Sequence, residues 1–395
     1  MLYGSKSPVV SGIAVVYLAG FLQGLTLVSL PASSIVLKHM HGLTSSGYGL
    51  LFLPQVAFAV VGSILGGMLA RRAGLRAILL AALLCNAFSQ AALAGSAYSQ
   101  TGAAYYLLLL CASLLGMGFG LAAAPLNSYP QALFPARRDT AVVALHTLLA
   151  AGLAAGPLLA GRFISSGDWA WFPISLSLFS FLLTGAAALV RFPEFEERDD
   201  KGVRDRRPIF SKTLWQLIAV AVLYAFAEGT FSNWAIIYLH ESKNLPETAG
   251  ALALSLFWAF LAVGRLLVSV LAVFMPSERI WRMLPLFMAL VFIMLPYADS
   301  SLVGVGLFAL AGLSCSAFFP LTIRLASKSF PSHVAWVSSI ITGALMVGIG
   351  IGTFATGLLT ERLSLEVIYT ISALYPLSAF LLVIVFLRRA QGRGQ

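Results

Sequence analysis

Charged side chains are scarce in this chain of 395 residues, since Asp, Glu, Lys and Arg together make up 10% of it. An ordinary soluble domain has about 25%. Hydrophobic residues make up 59%, and the mean hydropathy is +0.91. This composition excludes a soluble globular protein and indicates a chain that lies in a lipid bilayer.

Motifs for catalysis and for cofactor binding are also missing. No glycine-rich loop is followed by Lys and Ser or Thr, so an ATP-driven mechanism is not expected. His39 and His41 have no further ligand at metal-site spacing. Cys85, Cys111 and Cys315 are far apart and lie within apolar runs, so we interpret them as small packing residues. We therefore expect no enzyme, no cofactor and no metal site.

Long apolar runs fill most of the chain instead. A membrane helix needs about 20 apolar residues to cross about 30 Å of hydrocarbon at about 1.5 Å per residue. Windows of this length predict twelve spans, near 9–33, 48–70, 77–97, 104–127, 139–163, 170–191, 213–239, 248–274, 281–298, 302–325, 334–360 and 365–387. The predicted fold class is an all-α integral membrane protein with twelve transmembrane helices.

The basic residues predict the orientation of these spans. If the amino terminus is inside, all but four of the 25 Lys and Arg residues fall on the cytoplasmic side, as short cytoplasmic loops favour. The exceptions are Lys38, Arg162, Lys243 and Arg362. Both termini are therefore predicted to be cytoplasmic, in a plasma membrane such as the bacterial inner membrane. The net charge of +10 follows from this topology, so no nucleic-acid partner is expected.

One solvated segment divides the spans into six and six. Residues 191–212 carry seven basic and six acidic side chains and almost no apolar periodicity. We predict an amino-terminal six-helix bundle over 1–191, a cytoplasmic linker over 192–212 and a carboxy-terminal six-helix bundle over 213–395.

An internal repeat supports this division. At an offset of 196 residues, Gly152 coincides with Gly348 and Gly156 with Gly352. At an offset of 202 residues, Gly62 coincides with Gly264, and further matches follow at both offsets. Several aligned features at nearly one offset indicate two pseudo-symmetric copies of one six-helix unit.

Two parallel repeats joined by a charged linker resemble the major facilitator superfamily, and the resemblance covers essentially the whole chain. The stretch GGMLARRAGLR, residues 66–76, is similar to that superfamily's motif between helices 2 and 3. Gly67, Arg72 and Gly74 match, whereas Arg71 stands where the family usually has aspartate. In the family that acid helps to latch the cytoplasmic gate. The resemblance implies a gating role here with an altered latch; the alternative is that the arginines only follow the charge rule.

A second motif, GLAAGPLLAG at 152–161, resembles the glycine-proline motif of helix 5 in exporters of the same superfamily. Gly152 and Gly156 lie one turn apart and allow close approach of another backbone, while Pro157 removes a backbone donor and can kink the helix. Tight packing of helix 5 suits any member of the family, so export is one of two interpretations.

A single acid stands out among the 15 in the chain. All the others fall in predicted loops or at helix ends, whereas Glu228 lies near the middle of the span 213–239. A charged group at such a depth costs about 3 kcal/mol or more, so it is expected to face a cavity. Tyr224 and Ser232, four residues before and after, share its helical face.

We predict that Glu228 is a proton-coupling residue, because a carboxyl group in a dry cavity can exchange protons within the range of cellular gradients. The alternatives are a permanently neutral acid hydrogen-bonded to Tyr224 or to a glycine-exposed backbone, a proton-exchanging His146, another driving ion, or an ion pair between Glu228 and Arg265. Arg265 also lies close enough to the end of its span to extend to the interface.

The resemblance implies that helices 1, 4, 7 and 10 line a central cavity. The candidate solute ligands are Gln23, Tyr224, Ser232, Asn233, Trp234 and Trp258. Amide, phenol and indole groups suit a small polar solute, because aromatic faces stack on apolar ring surfaces while polar tips orient hydroxyls. Gln23 is alternatively an interhelical contact, as Asn86 and Gln90 are expected to be, and Trp234 an interfacial anchor.

The seventh span adds a finer resemblance. Glu228 is followed six residues later by Trp234 and then by Tyr238 and Leu239, a pattern similar to helix 7 of sugar-transporting members related to the fucose permease group. The expected function is secondary transport of a small, sugar-like solute by alternating access, coupled to protons and carried out by a monomer in the bilayer. The alternatives are an exporter of amphipathic compounds and a transport-inactive membrane scaffold or receptor.

Overall fold

The structure is a computed structural model in which residues 7–193 and 211–392 are described. Within these ranges the chain forms helices and no strand. The α-helices are α1 Ser7–Leu27, α2 Ser29–Ala32, α3 Ser34–His41, α4 Ser45–Leu50, α5 Phe52–Ser96, α6 Thr101–Leu133, α7 Arg138–Ser165, α8 Trp171–Leu189, α9 Lys212–Ile237, α10 Glu247–Phe274, α11 Ser277–Met294, α12 Ser301–Cys315, α13 Phe318–Ser329, α14 Val334–Leu359, α15 Leu365–Ser372 and α16 Leu374–Gly392. A π-helical turn covers Tyr238–Ser242, and 3-10 turns cover Leu295–Tyr297 and Pro331–His333. Most of the predicted linker, residues 194–210, lies outside the described residues.

Eleven helical stretches within the described ranges are long and apolar enough to cross a membrane, and Gly12–Leu27 is a shorter apolar helix. Together they account for the twelve predicted spans. Many large apolar side chains on these helices are exposed; Val273 and Phe274 at the end of α10 are 79% and 82% exposed. Such faces suit contact with lipid chains.

Proline explains where the first span breaks. Pro31 has no backbone N–H and its ring crowds the carbonyl of Leu27, four residues earlier, so α1 ends at that residue. Ala32 N–H then bonds the Val28 carbonyl at 2.9 Å, and a short second helix forms. The span predicted as one helix over 9–33 is therefore divided.

Glycine explains how the second and third spans meet. The long helix α5 contains most of both, and Gly74, which lies between the predicted spans 48–70 and 77–97, has φ 80° and ψ 154°. Only glycine adopts this conformation without a steric penalty, so Gly74 ends one span and begins the next.

Proline also divides the tenth span, predicted near 302–325. Pro320 follows Ser316 by four residues and cannot donate to its carbonyl. The helix accordingly stops at Cys315 and restarts as α13 at Phe318.

Packing divides the chain into two compact units. The first unit comprises 1–44 and 51–198, and the second comprises 45–50 and 199–395. The second unit thus includes α4, a segment that the predicted division leaves in the amino-terminal half.

The two units repeat one helix crossing. In the first unit, a Cβ atom added at Gly116 on α6 would lie 1.9 Å from the Gln55 carbonyl oxygen. In the second, a Cβ atom added at Gly312 on α12 would lie 2.0 Å from the Phe257 carbonyl oxygen. These pairs are related by the offsets of 196 and 202 residues that the sequence repeat gives. Both crossings therefore require glycine because two backbones touch there.

Candidate functional site

Glu228 lies in the middle of α9 and is 9% exposed. Its side chain lies close enough to the Tyr224 hydroxyl, one turn earlier on the same helix, to interact with it. Arg265 on α10 and Cys315 at the end of α12 lie close enough to interact electrostatically with it. The second unit therefore surrounds this carboxyl group with one phenol, one guanidinium and one thiol.

The Tyr224 side chain is held firmly by its neighbours. Its hydroxyl donates to the Cys315 carbonyl at 3.0 Å. Its ring packs against Phe318 at 5.4 Å and Phe319 at 6.4 Å between ring centroids. Tyr224 therefore connects α9 to both sides of the break between α12 and α13.

Arg265 binds the same break from another helix. Although it is largely exposed, its Nε donates to the Ser316 carbonyl at 3.2 Å. The guanidinium therefore has a backbone partner and lies within the electrostatic reach of Glu228.

The other polar groups of α9 are mostly occupied by protein partners. The Ser232 hydroxyl donates to the Glu228 carbonyl at 2.8 Å, within the same helix. Asn233 Nδ2 donates to Thr353 Oγ1 at 2.9 Å, and Trp234 Nε1 to the Thr353 carbonyl at 3.3 Å. The carbonyl of Asn233 accepts from the Tyr48 hydroxyl at 3.0 Å. Asn233 and Trp234 thus join α9 to α14 and α4.

Trp258 differs from Trp234 in the hydrogen bonding of its indole N–H. Its Nε1 is buried and has no hydrogen-bond partner in the protein, while its ring meets Phe257 edge-on at 5.1 Å. A buried indole N–H usually has a partner, so this donor is available to a bound molecule.

The first unit has a neutral polar cluster. Gln23 on α1 accepts through Oε1 from Asn86 Nδ2 on α5 at 3.0 Å, and Gln90 Nε2 donates to Ser29 Oγ at 3.1 Å. Gln23 Nε2, Asn86 Oδ1 and Gln90 Oε1 are buried without a protein partner. Gln23 therefore makes the expected interhelical bond and also keeps an unused donor.

His146 lies in the first unit, on α7. Its Nε2 is 3.1 Å from Asn127 Oδ1 on α6, and both side chains are exposed. The imidazole therefore has an amide partner and lies at the surface of its unit.

The residues of the predicted gate are distributed around the turn in α5. Gly74 forms the turn itself, and neither Gly74 nor Gly67 has other atoms within 4 Å of an added Cβ. Arg72 is exposed. The side chain of Arg71 lies outside the described part of the chain.

The glycine-proline motif packs α7 against α1. A Cβ atom added at Gly152 would lie 2.1 Å from the Phe21 carbonyl oxygen, whereas one added at Gly156 would meet the Val28 side chain at 2.3 Å. The helix continues through Pro157, which is buried. Gly152 is therefore the position where backbone meets backbone.

Many apolar helices, an internal repeat and buried polar groups at the middle of spans are the features of an integral multi-pass membrane protein. The sequence profile of the Major Facilitator Superfamily matches residues 11–307, and the chain belongs to this family. In the described residues no group of three or more His, Cys, Asp or Glu side chains is arranged to hold a metal ion.

Two curated relatives and one solved structure illustrate the similarity. The chain is 24% identical over 267 residues to the glucose/mannose transporter GlcP of Bacillus subtilis (strain 168), covering 64% of this chain and 65% of that protein. It is 24% identical over 243 residues to the fosmidomycin resistance protein of Escherichia coli (strain K12), covering 59% of each. The chain thus spans less than two thirds of these relatives' length.

The crystal structure of a D-xylose-proton symporter superposes with a TM-score of 0.76 at 17% identity, covering 95% of this chain and 97% of that one. This likeness confirms the predicted twelve-helix fold of the superfamily. Membership of this family groups the chain with membrane transporters and not with enzymes.

Proposed function

We propose that this protein is a proton-coupled carrier of a neutral, sugar-like solute, and that Glu228 takes up and releases the coupling proton. One observation carries the proposal: within the described residues, Glu228 is the one acid that lies in the middle of a span and away from a helix end. A buried carboxyl group with a phenol and a guanidinium nearby changes between charged and neutral forms at moderate energetic cost.

Two groups are the best candidates for solute contacts in this proposal. Gln23 Nε2 and Trp258 Nε1 are buried donors without a protein partner. A neutral hydroxylated solute offers the acceptors that such donors need. The relative that transports glucose and mannose supports the same solute class. Tyr224, Ser232, Asn233 and Trp234 would act by holding α9 in position.

The test uses inverted and right-side-out vesicles with an imposed pH gradient and labelled D-glucose as the probe. Wild-type protein should concentrate the sugar, whereas Glu228→Gln should lose accumulation and retain exchange without a gradient. Glutamine keeps the shape and some hydrogen bonds while it removes the titration. Glu361→Gln, in an exposed turn, is the matched control and should accumulate normally. Gradient-driven accumulation by Glu228→Gln would contradict the assignment.

A second candidate function is export of amphipathic compounds. It is favoured by the helix 5 motif at 152–161 and by the similarity to the fosmidomycin resistance protein. The vesicle assay separates the two, because an exporter moves its probe in the opposite direction under the same gradient. Fosmidomycin is the probe for this arm, and its gradient-dependent extrusion without sugar uptake would favour export.

A further inference from the structure

The break between α12 and α13 leaves two backbone carbonyls outside the helical bonding pattern. Pro320 has no N–H for the carbonyl of Ser316, and the turn at Ser316 and Ala317 interrupts the helix after Cys315. A buried carbonyl without a partner costs about 1–3 kcal/mol, so such groups require donors from elsewhere. The proline at position 320 is thus the sequence feature that makes donors from other helices necessary.

Two neighbouring helices supply the donors. The Tyr224 hydroxyl from α9 donates to the Cys315 carbonyl at 3.0 Å, and Arg265 Nε from α10 donates to the Ser316 carbonyl at 3.2 Å. Tyr224 precedes Glu228 by one turn on α9, and both Tyr224 and Arg265 lie within electrostatic reach of its carboxyl group. The carboxyl group and the broken helix therefore share the same two side chains.

We propose that Glu228 controls the break between α12 and α13 by competing with the Cys315 and Ser316 carbonyls for Tyr224 and Arg265. The ionised carboxylate draws the hydroxyl and the guanidinium toward itself, because charge-assisted hydrogen bonds are stronger than neutral ones. Uptake of one proton on the carboxylate removes that competition and returns both donors to the carbonyls. Tyr224 and Arg265 are positioning residues in this scheme, which rests on the proposed role of Glu228.

The packing on each side confines movement to the break. Gly312 brings the backbone of α12 against the Phe257 carbonyl on α10, so this part of the helix is held closely. On the other side, Trp281 of α11 stacks on Phe318 at 5.9 Å and donates through Nε1 to Thr322 Oγ1 at 2.8 Å. Two anchored segments joined by an interrupted turn bend at the turn.

The ionisable groups around α9 assign the pH response to Glu228. Arg265 from α10 and Cys315 from α12 face it from neighbouring helices. On the other helices that pack against α9, Tyr369 of α15 donates to the Thr230 carbonyl at 3.0 Å, and Tyr375 of α16 meets Phe226 edge-on. Among the described residues around α9, Glu228 is therefore the carboxyl group within reach of both Tyr224 and Arg265.

The experiment measures the bend directly. Spin labels are attached to cysteines introduced at Leu302 and Ser329, which are exposed near the two ends of α12 and α13. The three native cysteines are replaced by alanine, and the full-length protein is reconstituted in nanodiscs. The distance between the labels is recorded at about pH 5 and about pH 9, a range that brackets carboxyl titration in proteins. No solute and no gradient is present.

Wild-type protein should show a pH-dependent shift in the label distance, and Glu228→Gln should lose it and remain at the low-pH distance. Pro320→Ala should also lose the shift while Glu228 is intact, because alanine restores an N–H donor for the Ser316 carbonyl. Arg265→Gln should abolish the shift and Arg265→Lys should recover part of it. Glu361→Gln should leave it unchanged.

An identical label distance at both pH values in wild type, or a shift that persists in Glu228→Gln, would overturn the proposal. Tyr224→Phe keeps the ring packing and provides a second variant if Glu228→Gln does not fold; its shift should be reduced, and a full shift counts against the proposal. Since the measurement needs neither solute nor gradient, loss of accumulation in vesicles with a normal shift contradicts only the proposed transport function.

Discussion

The first helix crossing of each unit differs although the sequence repeat relates them. In the first unit α1 crosses α7, and glycine faces glycine: a Cβ atom at Gly24 would lie 2.0 Å from the Leu149 carbonyl oxygen. In the second unit α9 crosses α14, where Gly348 faces the Cβ atom of Ala225 at 2.6 Å. The two helix backbones therefore approach more closely in the first unit. In the second unit they are separated by the methyl group of Ala225.

Polar bonds compensate for the looser approach in the second unit. Thr353 accepts from Asn233 and Trp234, and the residue 196 positions earlier is Pro157, which has no side-chain hydrogen bond to offer. The first helix is broken at Pro31 in one unit, whereas α9 is continuous to Ile237 in the other. Duplicated helices can thus be joined by backbone contact in one copy and by side-chain bonds in the other.

The largest effect is expected at the tighter crossing. Gly152→Leu should abolish folded protein, because its side chain would occupy the space of the Phe21 backbone; overpacking of this kind costs about 3 kcal/mol or more. Gly348→Leu should lower the yield less, since an added Cβ atom there would lie 2.6 Å from its nearest neighbour, against 2.1 Å at Gly152. The yield of monodisperse protein in size-exclusion chromatography measures both. Gly306→Leu, with no atom within 4 Å of an added Cβ, is the control. Equal yields for the first two variants would remove the distinction between the crossings.

Removing the polar bonds should have a smaller effect, confined to the second unit. Thr353→Val leaves Asn233 Nδ2 without its acceptor and should lower the free energy of unfolding by about 1–3 kcal/mol. The corresponding change in the first unit, Pro157→Thr, removes no bond and should change stability by less. Thermal unfolding of the purified variants measures the difference, and a neutral Thr353→Val would mean that packing alone holds α9 to α14.

Two tryptophans of the second unit separate packing from solute contact. Trp234→Phe removes a bond to the Thr353 carbonyl and should lower the unfolding temperature with little change in KM. Trp258→Phe removes an N–H without a protein partner, so stability should be unchanged while KM for D-glucose exchange rises about 2- to 10-fold, the value of one hydrogen bond. The opposite pattern, with KM altered by Trp234→Phe alone, would exchange the roles of the two residues.

The smallest effect is a pH dependence in the first unit. Burial lowers the pKa of His41 at the end of α3, so the unfolded chain binds a proton there more readily than the folded one. The stability from the neutral imidazole is present above the unfolded pKa of about 6.5 and is lost as the pH falls below it. Unfolding temperatures at about pH 7.5 and about pH 5 should differ more for wild type than for His41→Phe. An equal difference would show that other groups govern acid sensitivity.

Sequence alone identifies the spans, the repeat and the central acid, because composition and spacing encode these features locally. It also contains Pro31 and Pro320, yet both spans were predicted as continuous, since apolar content does not report which carbonyl a proline leaves free. Hydropathy windows therefore locate a span better than they locate a break within it.

The partners of the polar residues were less accessible to prediction. Asn233 and Trp234 were interpreted as candidate solute ligands, and the structure gives them Thr353, 120 and 119 positions away. Trp258 is also a tryptophan, but its Nε1 has no hydrogen-bond partner in the protein. Only the three-dimensional packing distinguishes a donor that is already used from one that is free, so the ligand assignments remain proposals.

The short helix α4 has a consequence for the gene as well as for the fold. Its residues belong to the second unit, where Tyr48 donates to the Asn233 carbonyl and packs edge-on against Trp234 at 5.3 Å. A gene cut within the region encoding 194–210 would therefore not yield two self-sufficient products. The product that begins after the cut lacks Tyr48, and it leaves one side of Trp234 uncovered until the other polypeptide supplies α4. Assembly of the two products would then be a form of fragment complementation, with α4 as the donated piece.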